Sequence, residues 1–328
     1  MTGRVSDYVP GLVSVIVPVF NRPAALREAV ESALGQSYST IEILVVDDGS
    51  TDGTAEVASA LVRQSPGRVR AINRPNGGPG QARESGRQAA RGEFLQYLDS
   101  DDLLLPRKLE LQVAALRARP ECGIAYGICR ELHSDGTPSD RPLRPSDRPI
   151  EAIFPTFLLG CFWNTLVPLY RAELCERAGP WSELRVEEDW ELDARIGALA
   201  PRLAFVPEPL AVQRNHLPER LSERGLHPEA LRDRARASES ILASARRTGI
   251  GAETPEMRQY ARSLFLLARQ CGSAGLAGES RRLFELARSA STPRASAGPD
   301  FRLYRLAATL FGWKVAARVS GALERLRP

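Results

Sequence analysis

The sequence predicts an α/β fold in which a mostly parallel sheet is flanked by helices, followed by a helical region. Over about the first 120 residues, short apolar runs rich in β-branched residues alternate with segments of helical spacing. Polar clusters follow directly after three of the apolar runs. Alternating strands and helices are typical of a parallel sheet with helices on both faces, and such sheets bind ligands at the carboxyl ends of their strands.

Four strand–helix units can be assigned from the spacing of apolar residues. The predicted strands are 13–20, 41–46, 69–73 and 94–99. The longer runs are nearly continuous, as expected for strands buried on both faces. A helix is predicted after each strand, and Pro23 and Pro106 suit the first turn of the first and fourth helices. The polar clusters FNR, DDGS and DSDD therefore sit at strand ends and are expected to converge on one crevice.

The pattern changes after this region. GIAYGICREL (123–132) is a predicted strand, and the Pro/Ser/Asp-rich segment 133–149 is a predicted loop. From about residue 220 the sequence is rich in Ala, Arg, Leu and Glu in helical rhythm, and three helices are predicted near 228–248, 254–270 and 276–290. We divide the chain into an α/β domain over 1–218 and a helical region over 219–328.

The composition is that of an ordinary globular protein, with 43% hydrophobic and 26% charged residues among 328. A net charge of +4 is too small to indicate nucleic-acid binding. The five cysteines show no CxxC or metal-finger spacing, and the N-terminal residues lack a signal-peptide pattern, so we expect a reducing, cytoplasmic location. The uncharged segment 152–170 contains two prolines and an asparagine and is predicted to be buried core or a pocket wall rather than a membrane span.

The end of the fourth strand carries three carboxylates within four positions, those of Asp99, Asp101 and Asp102. Acids crowded in this way are unfavourable without a counter-charge. Mg²⁺ or Mn²⁺ would supply one, since these ions take oxygen ligands and often need only one or two carboxylates together with substrate phosphates. A solvated acidic turn that caps the next helix is the alternative.

Asp48 and Arg83 are candidates for nucleotide binding. Asp48 follows the second strand and could accept hydrogen bonds from a nucleobase or a ribose, or cap a helix. Arg83 follows a glycine-rich loop and could face a phosphate, pair with an aspartate, or lie on the surface. That loop is not GxGxxG, and the chain contains no GxxxxGK[ST], so the dinucleotide and P-loop fingerprints are both absent.

The segment EEDW contains the candidate acid–base residues. Glu187 and Glu188 are favourable at a helix start because they oppose the positive end of the helix dipole. Asp189 would suit a general base if it reached the proton to be removed. His216 in QRNH is a candidate further metal ligand or an ordinary surface residue.

Taken in order, these segments resemble bacterial family 2 glycosyltransferases of the GT-A fold. The matching text is VSVIVPVFNRPAALREAVESAL, EILVVDDGSTDGT, NGGPGQARESGRQAARGEFLQYLDSDDLLLP, EEDW and VPEPLAVQRNH, which spans roughly 12–216. The resemblance implies a metal-dependent, inverting transfer of a sugar from a nucleoside diphosphate to an acceptor hydroxyl. A UDP-sugar is the favoured donor and a dTDP-sugar the second choice. The implied acceptor is a sugar, a lipid-linked molecule or a protein, in cell-surface polysaccharide or glycolipid synthesis.

The same resemblance implies which residues bind the donor nucleotide. Pro18, Val19 and Phe20, after the first strand, would lie against the base and the ribose. Asp48 would bind the base, and Arg83 would belong to the same donor site.

It also implies which acids bind the metal and remove the proton. Asp99 and Asp101 match the ends of the family's DxD motif, with Asp101 the best metal ligand and Asp99 nearer the ribose or sugar. Asp102 would bind a metal-bound water. Asp189 would be the catalytic base, with Glu188 as the alternative.

The sequence departs from the family pattern at two positions on the sugar and acceptor side. Glu84 stands where the family often has asparagine, and Trp181 stands where it usually has phenylalanine or tyrosine. Neither departure removes a predicted catalytic group, so they leave the reaction intact and the sugar undetermined.

The last helical segment, from residue 301, is basic and amphipathic. Leu303, Leu306, Leu310 and Trp313 are expected on one stripe among six basic residues and one acid. Such a helix either lies on an anionic membrane surface or packs on the preceding helices. A non-catalytic nucleotide-sugar-binding or scaffold protein that acts through this helical region is the rival hypothesis for the whole chain.

Overall fold

The computed structural model describes residues 8–133, 137–142, 144–214 and 226–325. The chain divides into two compact units. The first unit comprises 1–152, 161–183 and 199–218, and the second comprises 153–160, 184–198 and 219–328. Two inner segments, 153–160 and 184–198, thus group with the later helices, and the predicted boundary at residue 218 remains a prediction.

The described part of the first unit is built on one nine-stranded sheet. Its strands are β1 (Val9–Val19), β2 (Ile41–Asp47), β3 (Val69–Asn73), β4 (Gly92–Tyr97), β5 (Leu103–Leu104), β6 (Cys122–Leu132), β7 (Pro138–Pro142), β8 (Leu169–Arg171) and β9 (Arg202–Arg214). The strand order is β3-β2-β1-β4-β8-β6-β9-β5, with β7 paired to β6.

Four of the nine strands form the predicted parallel array. β1 pairs in parallel with β2 and β4, and β2 pairs in parallel with β3. The intervening helices are α1 (Pro23–Leu34), α2 (Thr54–Gln64) and α3 (Pro79–Ala89), and α4 (Lys108–Ala118) follows β4 and β5. Each of the four predicted units is present at its expected place, which confirms this part of the prediction.

The other half of the sheet is mixed. β8 runs antiparallel to both β4 and β6, and β9 runs parallel to β6. The short helix α5 (Ala172–Ala178) follows β8. The sequence did not predict β5, which has only two residues. The loop predicted over 133–149 is wrong at Pro138–Pro142, where β7 pairs with β6.

Close packing of α3 on the sheet depends on a glycine. A Cβ atom added at Gly86 would lie 2.4 Å from Cγ2 of Ile16 in β1, which is closer than two carbon atoms can approach. Ile16 is fully buried in the middle of the parallel strands. The glycine therefore lets α3 lie directly on the sheet, with its first turn at the edge where the strands end.

A buried lysine holds the centre of the first unit together. Nζ of Lys108 lies 2.5 Å from Oε1 of Gln96 and 3.1 Å from the carbonyl oxygen of Val167, and it also contacts Oε1 of Gln112. Lys108 is fully buried. Burial lowers the pKa of Lys108 well below its ordinary value. The sequence predicts only that Lys108 lies in a helix, and its burial is a finding of the structure.

The uncharged segment 152–170 is not a membrane helix. It forms a 3₁₀ helix (Thr156–Leu159), irregular backbone and the start of β8. Its large side chains, including Phe157 and Trp163, are buried, as predicted for core. Across the described residues, no helix has the length and hydropathy needed to cross a membrane.

The second unit is helical. Besides the 3₁₀ helix, its described part contains α6 (Glu188–Gly197), α7 (Pro228–Arg247), α8 (Pro255–Ser273), α9 (Ala277–Ala290), α10 (Pro293–Ser296), α11 (Pro299–Phe311) and α12 (Trp313–Arg325). α7, α8 and α9 confirm the three helices predicted from the spacing. Leu264 and Phe284, on α8 and α9, are buried in the core of this unit.

Candidate functional site

Three loops meet at the carboxyl ends of the central parallel strands. Because β2, β1 and β4 are adjacent and parallel, the loops that follow them leave the same edge of the sheet. The backbone N–H of Asn21 donates to Oγ of Ser50 at 2.9 Å, joining the first loop to the second. Nη1 of Arg22 lies 2.5 Å from Oδ2 of Asp101, joining the first loop to the third. The three polar clusters thus lie at one edge of the sheet, as predicted, and the crevice expected between them remains a prediction.

The first loop depends on a left-handed residue. Asn21 has φ of +52°, a conformation that asparagine tolerates better than most residues. Its Oδ1 accepts a hydrogen bond from the backbone N–H of Thr51 at 2.8 Å. The N–H of Arg22 then donates to Oγ1 of Thr54 at 3.0 Å. These bonds hold the turn that carries Arg22, so its guanidinium meets Asp101 from an ordered backbone.

Arg83 pairs with Asp99, so the pairing with an aspartate that the sequence allowed for Arg83 is present in the structure. Nη2 of Arg83 lies 2.6 Å from Oδ1 of Asp99. Arg83 is buried, and its guanidinium carbon lies 4.8 Å from the centre of the Trp181 ring. A cation over an aromatic face is held by the ring quadrupole. Trp181 and Asp99 thus fix the guanidinium of Arg83 from two sides.

Glu84, the first departure from the family pattern, supports Trp181, the second. Its carboxylate accepts hydrogen bonds from Nε and Nη2 of Arg87, both at 2.8 Å, and from the backbone N–H of Trp181 at 3.1 Å. Burial acts to raise the pKa of Glu84, but the hydrogen bonds outweigh it and the pKa is lowered. The charged Glu84 therefore anchors the backbone of the tryptophan that packs on Arg83.

Asp48 is buried beneath the glycine-rich loop. Its carboxylate accepts from Nη1 of Arg74 at 2.5 Å, from the N–H of Gly77 at 3.0 Å and from the N–H of Gly78 at 2.7 Å. Such backbone donors order a loop that has few side chains of its own. Asp48 therefore organises residues 74–78, and direct binding of a base by its carboxylate remains a prediction.

Pro18, Val19 and Phe20 occupy the end of β1 and the residue after it. Pro18 and Val19 are buried in the sheet, and the carbonyl of Val19 accepts a hydrogen bond from the N–H of Asp48 at 2.9 Å. Phe20 is exposed. Of the three side chains, only that of Phe20 is exposed at this edge.

Asp102 ties the acidic turn to the neighbouring part of the sheet. It is buried, and its Oδ1 accepts from the backbone N–H of Arg214 in β9 at 3.1 Å. Its own N–H donates to the carbonyl of Asp99 at 3.0 Å. The geometry supports a structural role for Asp102, and its contact with a metal-bound water remains a prediction.

The acids at this edge fit a cation that is shared with a ligand. Within the described ranges, no group of three or more His, Cys, Asp or Glu residues is arranged to hold a metal. Asp99 and Asp101 are partly exposed and each faces an arginine. One or two carboxylates plus phosphate oxygens suffice for Mg²⁺ in many nucleotide sites. His216, the further predicted ligand, lies outside the described residues.

The EEDW segment forms the start of α6 in the second unit. Glu187 is the residue before the helix and has φ of +63°, and its side chain makes no capping hydrogen bond. Glu188 is buried. Oδ1 of Asp189 accepts from the N–H of Trp190 at 2.9 Å. That Asp189, or Glu188 as the alternative, is the catalytic base remains a prediction.

A cavity of about 250 Å³ lies beside this helix start, entirely within the second unit. Its lining includes Glu187, Trp190, Arg234, Tyr260 and Phe157. Oε1 of Glu187 lies 3.4 Å from Nε of Arg234. Burial raises the pKa of Glu187 to about 7, against the lowering effect of Arg234.

This shift makes the stability of the protein depend on pH. Glu187 takes up a proton near pH 7 in the folded state but only near its ordinary value of 4.5 when unfolded. The folded state therefore binds more protons between these values, and the free energy of unfolding should fall as pH rises through that window, by up to about 3 kcal/mol. Glu187→Gln should remove this slope in chemical denaturation at pH 5 to 8, whereas Glu229→Gln, at an exposed position on α7, should retain it.

Two arginines of the site were not predicted from the sequence. Arg22 and Arg74 each lie 2.5 Å from a candidate aspartate, Asp101 and Asp48 respectively. Arg22 belongs to the polar cluster FNR, so its place at a strand end was a usable signal. Arg74 follows the third strand in the same way. Their positions at strand ends mark both arginines as candidates for the site, but do not show which aspartate each one pairs with.

The chain matches glycosyl transferase family 2 over residues 14–170. An uncharacterized glycosyltransferase of Nostoc sp. is 33% identical over 171 residues, which cover 51% of this chain and 53% of the relative. The putative glycosyltransferase EpsH of Bacillus subtilis is 30% identical over 215 residues, covering 62% of this chain and 61% of the relative. The chain therefore spans about half to three fifths of the length of these relatives.

Solved structures show the same architecture. Residues 1–349 of S. aureus TarS, in complex with UDP-GlcNAc, superpose with a TM-score of 0.67 at 18% identity, covering 96% of this chain and 92% of that one. The mannosyltransferase PcManGT of Pyrobaculum calidifontis, in complex with GDP-Man and Mn²⁺, gives a TM-score of 0.54 at 20% identity, with coverages of 95% and 87%. The first unit has the GT-A fold, and a helical region follows it, as the resemblance implied.

Proposed function

Residues 14–170 of this chain belong to glycosyl transferase family 2, and from this premise we propose that the protein is an inverting, metal-dependent glycosyltransferase. It transfers a sugar from a nucleoside diphosphate to an acceptor hydroxyl. The observation that supports the proposal is that Asp48, Asp99 and Asp101 follow adjacent parallel strands at one edge of the sheet, each paired with an arginine. A site of alternating acids and arginines suits a diphosphate bound together with a cation.

A UDP-sugar is the proposed donor, with a dTDP-sugar second. The support is the architecture shared with TarS, which was solved with UDP-GlcNAc. The structure of PcManGT with GDP-Man shows that this fold also accommodates a purine nucleotide. A panel of UDP-, dTDP- and GDP-sugars scored by thermal shift with Mn²⁺ will rank the donors, since a ligand that binds only the folded state raises the melting temperature.

Asp101 is the proposed cation ligand, with Asp99 close to the ribose or sugar. Mn²⁺ or Mg²⁺, when bound here, would neutralise charge on the leaving diphosphate. Arg22 and Arg83 contribute fixed positive charge at the same edge, and Arg83 is held in place by Trp181. Charge that is already positioned before the reaction stabilises the transition state without reorganisation.

Asp189 is the proposed general base. It would take the proton of the acceptor hydroxyl as that oxygen attacks the anomeric carbon, while the bond from this carbon to the diphosphate oxygen breaks. Attack on the face opposite the leaving group inverts the anomeric configuration. We propose an acceptor in cell-surface polysaccharide or glycolipid synthesis, reached from the cytoplasmic side.

Replacing Asp189 with asparagine tests the base and the rival scaffold hypothesis together. The side chain keeps its size but loses its basicity, so the transfer rate should fall by about a hundredfold. Donor-induced thermal shifts should be unchanged. The measurement is release of nucleoside diphosphate with and without acceptor, and Asp300→Asn, at an exposed position, is the matched control. A protein that binds donors but shows no turnover, and is indifferent to Asp189→Asn, would be the non-catalytic scaffold.

A further inference from the structure

The helix α11 leaves a row of leucines uncovered. Leu303, Leu306 and Leu310 recur at the i, i+3, i+7 spacing that places side chains on one side of a helix. They are 65%, 55% and 63% exposed. Large apolar side chains exposed in a contiguous row are uncommon on a protein surface that contacts only water.

The same helix is already packed through another face. Tyr304 and Ala308 are buried, and the ring of Tyr304 stacks on that of Phe284 in α9, with centroids 5.6 Å apart. Trp313, predicted to share the leucine stripe, instead packs against Phe284 at 5.4 Å. That part of the prediction is wrong, because the bend at Gly312, with φ of +81°, interrupts the helical spacing. Packing on the preceding helices therefore buries the face of α11 that carries Tyr304, and it leaves the three leucines exposed.

The helix α12 repeats this arrangement. Ala316 and Ala317 are buried, whereas Val315 and Val319 are 44% and 50% exposed. Phe311, just before the bend, is 66% exposed. The two successive helices α11 and α12, which pack on each other, therefore each bury small or aromatic residues and leave other apolar side chains exposed.

Basic residues flank these apolar side chains. Arg302, Arg305, Lys314 and Arg318 are exposed. The sequence from 301 to 323 contains no acid. We call the six exposed apolar residues and these four cations the apolar-basic face. Its members are Arg302, Leu303, Arg305, Leu306, Leu310, Phe311, Lys314, Val315, Arg318 and Val319.

We propose that the apolar-basic face docks on the surface of a bilayer containing anionic lipids. The aliphatic side chains enter the boundary between headgroups and acyl chains, and the four cations contact the phosphates around them. A second copy of the chain is a poorer occupant, because four cations would face four cations. The positive charge of the apolar-basic face favours a negatively charged partner. Its exposed apolar side chains favour a partner with an apolar interior. This inference does not depend on the proposed enzymatic activity.

Sedimentation with vesicles tests the proposal on the full chain. Vesicles of phosphatidylcholine with phosphatidylglycerol should bind the protein, and vesicles of phosphatidylcholine alone should bind it at least about fivefold less. The triple variant Leu303→Gln, Leu306→Gln, Leu310→Gln should bind about tenfold less. Glutamine keeps the helix propensity, and far-UV circular dichroism will show whether the fold is retained. Leu266→Gln, at an exposed leucine of α8, should bind as the wild type does.

The contribution of charge has its own control. Changing Arg302, Arg305, Lys314 and Arg318 to glutamine should lower binding to the anionic vesicles by about tenfold. The same loss of charge elsewhere on the second unit, at Arg236, Arg258, Arg262 and Arg281, should lower it less. Equal losses from both quadruple variants would mean nonspecific attraction and would overturn the assignment of this face. Concentration-dependent dimers that the leucine variant abolishes, without vesicle binding by the wild type, would assign the face to a second copy instead.

Discussion

The variant Asp101→Ala is expected to transfer sugar about a thousandfold more slowly than the wild type. Asp101 is the proposed cation ligand, and its carboxylate also lies 2.5 Å from Nη1 of Arg22. Without it, the leaving diphosphate loses a partner that neutralises its charge, and Arg22 loses its counter-ion. The measurement is nucleoside diphosphate release from the best donor of the panel, across a titration of Mn²⁺ and of Mg²⁺.

A second variant separates the cation from the ion pair. Arg22→Gln removes the guanidinium but keeps the carboxylate, so the cation dependence of activity and of donor-induced thermal shifts should persist. Asp101→Ala should lose both dependences. Full activity in Asp101→Ala would reject the metal assignment, and identical behaviour of the two variants would mean that Asp101 acts only through Arg22.

The variant Lys108→Met should lower the free energy of unfolding by about 3 kcal/mol. Methionine has a similar length and fills the space, but it cannot donate to the three oxygens that Nζ contacts. The two glutamines cannot simply turn their amides over. Nε2 of Gln96 already donates to the carbonyl of Leu166 at 2.9 Å, and Nε2 of Gln112 already donates to the carbonyl of Ala125 at 2.8 Å. Buried acceptors without donors are therefore left at the centre of the first unit.

Urea denaturation followed by tryptophan fluorescence will measure this loss. Arg107→Met is the matched control, since Arg107 is the preceding residue and its side chain is 60% exposed. The control should change the free energy of unfolding by less than about 0.5 kcal/mol. A Lys108→Met variant as stable as the wild type would mean that the cost of burying the ammonium cancels its three hydrogen bonds.

Local patterns in the sequence were sufficient for the elements and for the edge that holds the site. The two longest strands of the parallel part, β1 and β2, contain nearly continuous apolar runs, as in Ile41–Asp47, because both of their faces are buried. Each acid was placed at a strand end because Asp48 and Asp99 directly follow such runs. Periodicity of this kind extends over only a few residues, so it can be recognised without knowing the fold.

Pairings between distant residues could not be predicted in this way. Arg22 and Asp101 are 79 positions apart, and Arg74 and Asp48 are 26 apart. Nothing in the chain near Asp101 indicates which arginine will meet it. The order of the strands decides this, since β1 lies between β2 and β4 and brings their loops together.

The sequence by itself determined the alternation of strands and helices and the positions of the acids, because these depend on neighbours along the chain. The tertiary structure alone decided that Lys108 is internal, that Glu84 supports Trp181, and that the leucines of α11 lie opposite its packed face. Each of these depends on which surfaces meet when distant segments pack, and an apolar side chain has the same spacing in the sequence whether a partner covers it or not.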